Sequence, residues 1–488
     1  MITLIDWSLI WEFIIFLNTS LAIITVFRQP RDIAATWAWL LVLTFLPVLG
    51  FLFYAFVGRK LPKKRLFRFQ KQDLLKMDNI LSKLNRKYAD PKKIKADEVA
   101  YQARDMVRLF KNTDMAYLER RNKVHIYKDG YGLFTQMIND IKHAKKSINV
   151  EFYTFYNDKI GQQILKLLTM KAREGVLVHV IYDSWGSMGT TRRFFKPLIN
   201  AGGYAEPFLH THSVITDFRI NFRNHRKIVV IDGQTGYVGG FNIGDQYLGR
   251  KKKFGHWRDT HLRVVGSAVY SLQSQFILDW NVTDIKNKID EERDHEFYFP
   301  PFKSEGTTNM QIVSSGPDSD LEQIKIGYIK MIQSAKNYCW IQTPYLIPDD
   351  STLDAIRIAA MSGVDVRIMV PNKPDHLFVY RATQYYAKRL ANEGVKIYYY
   401  QKGFMHAKTA VIDDKIASVG SANFDFRSFK LNFEINAFLY DTEFSSRLKA
   451  IYLKDIKDSE LQTVEMFKKQ SFWLTFKQIF SRLLSPIL

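Results

Sequence analysis

The chain has 488 residues, 47% of them hydrophobic, which is enough for two substantial cores. Its net charge of +21 suits nucleic acid or an anionic membrane surface as partner. The single cysteine, Cys339, excludes internal disulfides and fits a reducing compartment.

The first 58 residues read as a membrane hairpin of two transmembrane helices. An apolar run from Phe13 to Phe27 follows Glu12, and no residue from Ile33 to Gly58 is charged. As one helix, Ala34 to Val57 would span roughly 36 Å against a bilayer core of about 30 Å. The connector Arg28-Gln29-Pro30-Arg31-Asp32 is short enough to fold the two runs back on each other. No basic stretch precedes the first run, which disfavours a cleaved signal peptide. Between Arg59 and Lys71 stand seven Lys or Arg and no acid, which places this side in the cytoplasm and would bind anionic headgroups. The expectation is a multi-pass protein of the cell membrane with its catalytic domains cytoplasmic. Residues 59–110 form a basic juxtamembrane linker, its later part helical and broken at Asp90-Pro91.

Beyond the linker the sequence repeats. Ala144-Lys145 through Val150-Glu151-Phe152-Tyr153 matches Ala335-Lys336 through Ile341-Gln342-Thr343-Pro344. Arg173-Glu174-Gly175 and then Val176 to Ile181 match Met361-Ser362-Gly363 and then Val364 to Met369, a helix ending at glycine before a strand. The order predicts an α/β fold of two repeated domains, residues 111–295 and 296–465, with largely parallel sheets and one shared active site.

Each half carries His-x-Lys-x-x-x-x-Asp, the copies standing 181 residues apart: His225, Lys227 and Asp232, then His406, Lys408 and Asp413. Gly239-Gly240-Phe241-Asn242 and Gly420-Ser421-Ala422-Asn423 follow at matching offsets. A lone histidine on an apolar strand is most often a satisfied core residue, and a lysine beside it a solvated edge charge. Two framed copies make coincidence a poor explanation. His and Lys two apart on a strand share a face, so each copy presents an imidazole beside an ammonium. Asp232-Gly233 and Asp413-Asp414 read as turns at the strand ends, which gives both aspartates a supporting role away from the reacting atom. Asn242 and Asn423 are expected on the returning strands, close enough to donate hydrogen bonds into the cleft.

These motifs resemble those of the phospholipase D superfamily, and with this amino-terminus the whole chain is similar to bacterial cardiolipin synthases. The resemblance implies phosphodiester chemistry on an anionic phospholipid, phosphatidylglycerol, at a membrane, with no nucleic acid as partner. A phosphodiester needs positive charge around its non-bridging oxygens, which Lys227 and Lys408 would supply with help from Asn242 and Asn423. One imidazole can attack phosphorus and form a phosphohistidine, while the other, starting protonated, donates to the leaving alkoxide and then deprotonates the incoming alcohol. One proton shared by the pair predicts a bell-shaped pH profile. The resemblance makes His225 the nucleophile and His406 the acid and base; the residues themselves leave that choice open. Asp259 and Glu434 resemble the family's carboxylates that orient the second imidazole nitrogens. With lysines neutralising charge, no metal or other cofactor is expected, and His210-Thr211-His212, a tight pair without partners at ligand spacing, reads as a loop.

Three readings of function follow. The leading one joins two phosphatidylglycerol molecules into cardiolipin and releases glycerol. The second is a related lipid enzyme with another acceptor, water included. The third is a nuclease, against which the apolar amino-terminus argues. The tail, residues 466–488, reads either as an interfacial helix or as an apolar stripe covering the catalytic core.

Overall fold

The computed structural model describes residues 7–27, 33–46, 49–54, 73–84, 98–208, 222–290, 293–301 and 306–485. They fall into two units, residues 1–65 with 211–222, and residues 66–210 with 223–488. The connector at 28–32, the basic cluster at 59–71, the break at Asp90-Pro91 and His210-Thr211-His212 lie outside the described residues.

In the smaller unit, helix Trp7–Phe27 is followed by Ile33–Phe45 and then Leu49–Phe53. Of the single helix expected from Ala34 to Val57 the described residues hold the latter two pieces, residues 47, 48 and 55–57 lying outside them, and among the described residues no helix is long and apolar enough to cross a membrane. Residue 47 is proline, with no N–H to close a helical bond to the Leu43 carbonyl. That carbonyl is met from the other helix instead, by Asn18 Nδ2 at 2.7 Å. Around this bond Ala22, Leu43 and Tyr54 form a small core, and Trp39 meets Tyr54 edge to face at 5.0 Å.

The larger unit is built on one sheet of sixteen strands, in which the two halves run in mirrored order from a central seam. At the seam Glu119–Tyr127 lies antiparallel to Thr308–Ser315. In the first half Ser147–Phe152, Leu177–Tyr182 and Tyr204–Pro207 are parallel. In the second half Tyr338–Gln342, Asp365–Pro371 and Lys396–Tyr400 repeat the arrangement. The crossover helices Lys159–Arg173 and Asp350–Met361 are capped alike: Asp158 accepts from Gly161 N and Asp349 from Thr352 N. Both turn into the next strand through a glycine with positive φ, Gly175 at 87° and Gly363 at 92°.

The expectation of largely parallel sheets holds only for these outer strands. The motif strands Lys227–Ile231 and Thr409–Ile412 run antiparallel to Ser147–Phe152 and Tyr338–Gln342. Each then returns as a hairpin, to Thr235–Gly239 and Ile416–Gly420. The hairpin turns decide the direction, with Asp232, Asp413 and Asp414 in left-handed conformation at φ of 54°, 50° and 52°. Each half has its own core, and a third joins them, packing Val230, Val238 and Leu262 with Val411, Val419 and Ala437.

Candidate active site

Each catalytic-motif histidine sits just before its motif strand, in a short segment that pairs with the opposite half. Arg223 and Asn224 run parallel to Asn432 and Phe433, and Gly403–Met405 runs parallel to His256–Arg258. The His225 N–H donates to the Phe433 carbonyl at 2.8 Å, and the His406 N–H donates to the Arg258 carbonyl at 2.7 Å. In both cases the next residue along the partner segment is a carboxylate. His225 Nδ1 lies 2.9 Å from both oxygens of Glu434, and His406 Nδ1 lies 2.5 Å from Asp259 Oδ2. The orienting carboxylates are thus exchanged: each half holds the other half's histidine. With Nδ1–H donating to a carboxylate, Nε2 of each ring keeps its lone pair.

Both imidazoles, Asn242 and Asn423 line one cleft of about 430 Å³, together with Tyr153 and Trp257. Tyr153 meets the His225 ring edge-on at 4.9 Å, and Trp257 lies 5.0 Å from the His406 ring. The lysines stand behind this surface. Lys227 and Lys408 are fully buried, and each ammonium donates to the carbonyl of its own motif histidine at 2.6 Å. They touch the cleft lining from behind, Lys408 Nζ lying 2.9 Å from His406 Nδ1 and Lys227 Nζ 5.5 Å from the centre of the Tyr153 ring. The guanidinium groups of Arg223 and Arg427, which motif reasoning missed, belong to residues of the cleft wall itself.

The asparagines lie three residues past the ends of the returning strands, where the strands had been expected to carry them. Asn242 Oδ1 accepts from the Thr154 N–H at 3.1 Å, and its Nδ2 donates to the Tyr247 hydroxyl at 3.2 Å. Asn423 Nδ2 donates to Asp425 Oδ2 at 3.0 Å. Asp232 and Asp413 do not join the cluster. At the far strand ends, Asp232 accepts from the N–H groups of Lys145, Lys146 and Ser147, and Asp413 from those of Lys336, Asn337 and Tyr338.

One position breaks the symmetry. Ser421 donates through Oγ to Glu434 Oε2 at 2.5 Å, while its counterpart in the first half is Gly240. A Cβ at Gly240 would stand 2.0 Å from Asp259 Oδ1, so the glycine makes room for that carboxylate. Comparison of the two motif frames could have found this pair, since between the shared Gly and Asn the first half reads Gly240-Phe241 and the second Ser421-Ala422.

Burial sets the charges. It drives both imidazoles down to about 4, with Glu434 pulling His225 up and Lys408 pushing His406 further down. Burial likewise lowers Lys227 to about 7 and Lys408 to about 8, against the upward pull of Glu434 and Asp259. The same burial would raise the carboxylates. Lys408 and His406 nevertheless hold Asp259 below its ordinary value, and His225 and Lys227 do so for Glu434. Burial beside two lysines therefore disfavours the shared proton expected on the histidine pair.

The family model described as cardiolipin synthase, PLD-like domain, matches residues 137–260 and 328–456, and so takes in both motifs and both carboxylates. The chain is 49% identical to the cardiolipin synthase of Listeria innocua serovar 6a over 482 residues, 97% of this chain and 98% of that one. The chain belongs to the cardiolipin synthase family. A second member, the cardiolipin synthase of Staphylococcus aureus strain Mu50, is 46% identical over 472 residues, 97% of this chain and 95% of that one. The amino-terminal region, residues 16–59, matches the model described as phospholipase D-nuclease N-terminal. Among solved structures, the phosphatidylserine synthase of Haemophilus influenzae Rd KW20 superposes with a TM-score of 0.59 at 15% identity, covering 79% of this chain and 100% of that one. At that identity it shows the shared fold.

Proposed function

We propose that the protein is a phosphatidyltransferase that condenses two phosphatidylglycerol molecules to cardiolipin and glycerol. The observation that carries this reading is the pair of imidazoles on one cleft, each with Nδ1 held by a buried carboxylate and Nε2 left to react. Full-length identity of 46–49% to cardiolipin synthases supports the choice of substrate.

In the first step Nε2 of His225 attacks phosphorus, and the bond from phosphorus to the glycerol oxygen breaks. His406, protonated at Nε2 by a proton taken up from solvent as the anionic substrate binds, delivers that proton to the alkoxide, and glycerol leaves. In the second step the glycerol hydroxyl of another phosphatidylglycerol gives its proton to His406 and attacks phosphorus. The bond to His225 breaks and cardiolipin departs. Glu434 and Asp259 orient the rings, Lys227 and Lys408 stabilise the anionic transition state from behind, and Asn242 and Asn423 contribute dipoles at the wall. Asp232 and Asp413 fix the motif hairpins. Residues 111–295 and 296–465 are the two catalytic halves, and the reaction uses no cofactor.

The apolar amino-terminus inserts into the cell membrane as a hairpin, with the catalytic halves cytoplasmic. Its support is the exposure of Phe13, Phe16, Trp37 and Phe45, and the internal pairing of the Leu43 carbonyl with Asn18, as an apolar surrounding favours.

The deciding experiment follows headgroup chemistry in phosphatidylglycerol vesicles with chelator present, beside His225→Ala and His406→Ala. Cardiolipin and glycerol in equal amounts, lost in both variants, are expected. Phosphatidic acid with glycerol would make water the acceptor, and no lipid turnover would return the reading to nucleic acid.

A further inference from the structure

The carboxy-terminal helix Phe472–Leu483 is amphipathic in the reverse of the usual sense. The side chains buried along it are polar, Gln478 and Ser481, with Ser485 continuing the line past its end. Gln478 Nε2 donates to Gln470 Oε1 at 3.2 Å. The helix packs on Leu377–Asn392, where the Arg482 guanidinium lies 5.3 Å from the Tyr385 ring centre. Turned outward are Phe472, Trp473, Phe476, Ile479, Phe480 and Leu483, each between 45% and 76% exposed. Of the two alternatives the tail offered, a stripe covering the catalytic core is thereby excluded, since the core side of this helix is its polar side.

We propose that this outward stripe lies on an anionic lipid bilayer, its aromatic rings at the boundary between headgroups and acyl chains. Charge selects that occupant. From Met466 to Leu488 the chain has four cations, Lys468, Lys469, Lys477 and Arg482, and no acid. Two copies pairing through the stripe would set those cations against their own kind, whereas lipid phosphates would meet them. Rings with interleaved cations fit the amphipathic-helix mode of surface binding. The supporting helix also begins at the cleft, where His376 lines the wall and Leu377 and Phe378 are exposed beside it. A lipid contact here holds the cleft mouth at the surface from which substrate comes, so the inference deepens the transferase reading while resting on other residues.

The test uses the full chain reconstituted in vesicles of phosphatidylcholine with and without phosphatidylglycerol. An environment-sensitive fluorophore is placed at Phe476→Cys and, as reference, at the exposed Leu321→Cys. Native Cys339 is fully buried, with its thiol pushed up to about 12 by burial, and stays unlabelled. The label at 476 is expected to be quenched by nitroxide-bearing lipid and shielded from iodide, more so with phosphatidylglycerol, and the label at 321 to behave oppositely. Equal iodide access at both positions would overturn the proposal. Shielding at 476 without lipid quenching, lost on dilution, would also overturn it and assign the stripe to a second copy. Neither readout requires turnover, so failure of the transfer chemistry leaves this result interpretable.

Discussion

Burial outweighs the carboxylates around the catalytic groups, driving the imidazoles of His225 and His406 down to about 4 and the Lys227 ammonium down to about 7. A bound phosphodiester changes that balance, since an anion within reach of the rings and behind them the ammonium groups favours every charged form. Binding must therefore take up protons. With imidazoles at about 4 and lysines at about 7 and about 8, anion binding at pH 7 raises these values toward or past the solution pH. The sign is uptake, and it supplies the proton that the leaving alkoxide requires. Calorimetric titration with tungstate or inorganic phosphate in buffers of different ionisation enthalpy should give an uptake of about half to one proton. A zero slope would show that the groups are already charged before binding. The sequence made the histidines, lysines and asparagines legible, since fixed spacing and repetition carry them. It did not make the charge states legible, because these depend on depth, and spacing says nothing of the water excluded above Lys227 and Lys408.

At the scale of the element, each motif hairpin is fastened by an aspartate that leaves its strand and accepts backbone N–H groups from the start of the neighbouring antiparallel strand. Asp413 takes them from Lys336, Asn337 and Tyr338 at 2.6 to 2.9 Å. The motif's conspicuous acid thus serves register rather than chemistry. Asp413→Asn keeps one oxygen and loses the charge, and should lower stability by about 1–2 kcal/mol in chemical denaturation while leaving kcat of the folded protein within about twofold. A loss of kcat beyond about a hundredfold at full folding would move the residue into the reaction. The turns at Asp232-Gly233 and Asp413-Asp414 and the returning strands were readable, yet the antiparallel placement of the motif strands against Ser147–Phe152 and Tyr338–Gln342 was missed under the alternation of helix and strand.

Across the whole molecule, the exchange of Glu434 and Asp259 makes the two halves one catalytic object. Pairing between distant segments, Arg223 with Asn432 and Gly403 with His256, brings each histidine to a carboxylate that no spacing within its own half could reveal. This is why the two carboxylates were recognisable while their assignment was not. The core between the halves, from Val230 to Ala437, holds the exchange in place. Since both histidines reach one cleft from one chain, mixing His225→Ala with His406→Ala protein should restore no transfer activity. Recovery to about a quarter of the native rate would instead mean cleft halves exchanged between chains.

The exchange also orders events in time. Glu434 follows His225 by 209 residues, and at a synthesis rate of roughly 5–20 residues per second that is a wait of about 10–40 s. Until then the nascent chain displays an imidazole without the carboxylate that fixes its tautomer. A ribosome that stops before Glu434 therefore releases an inert product, and the enzyme is armed only once its second half has been made.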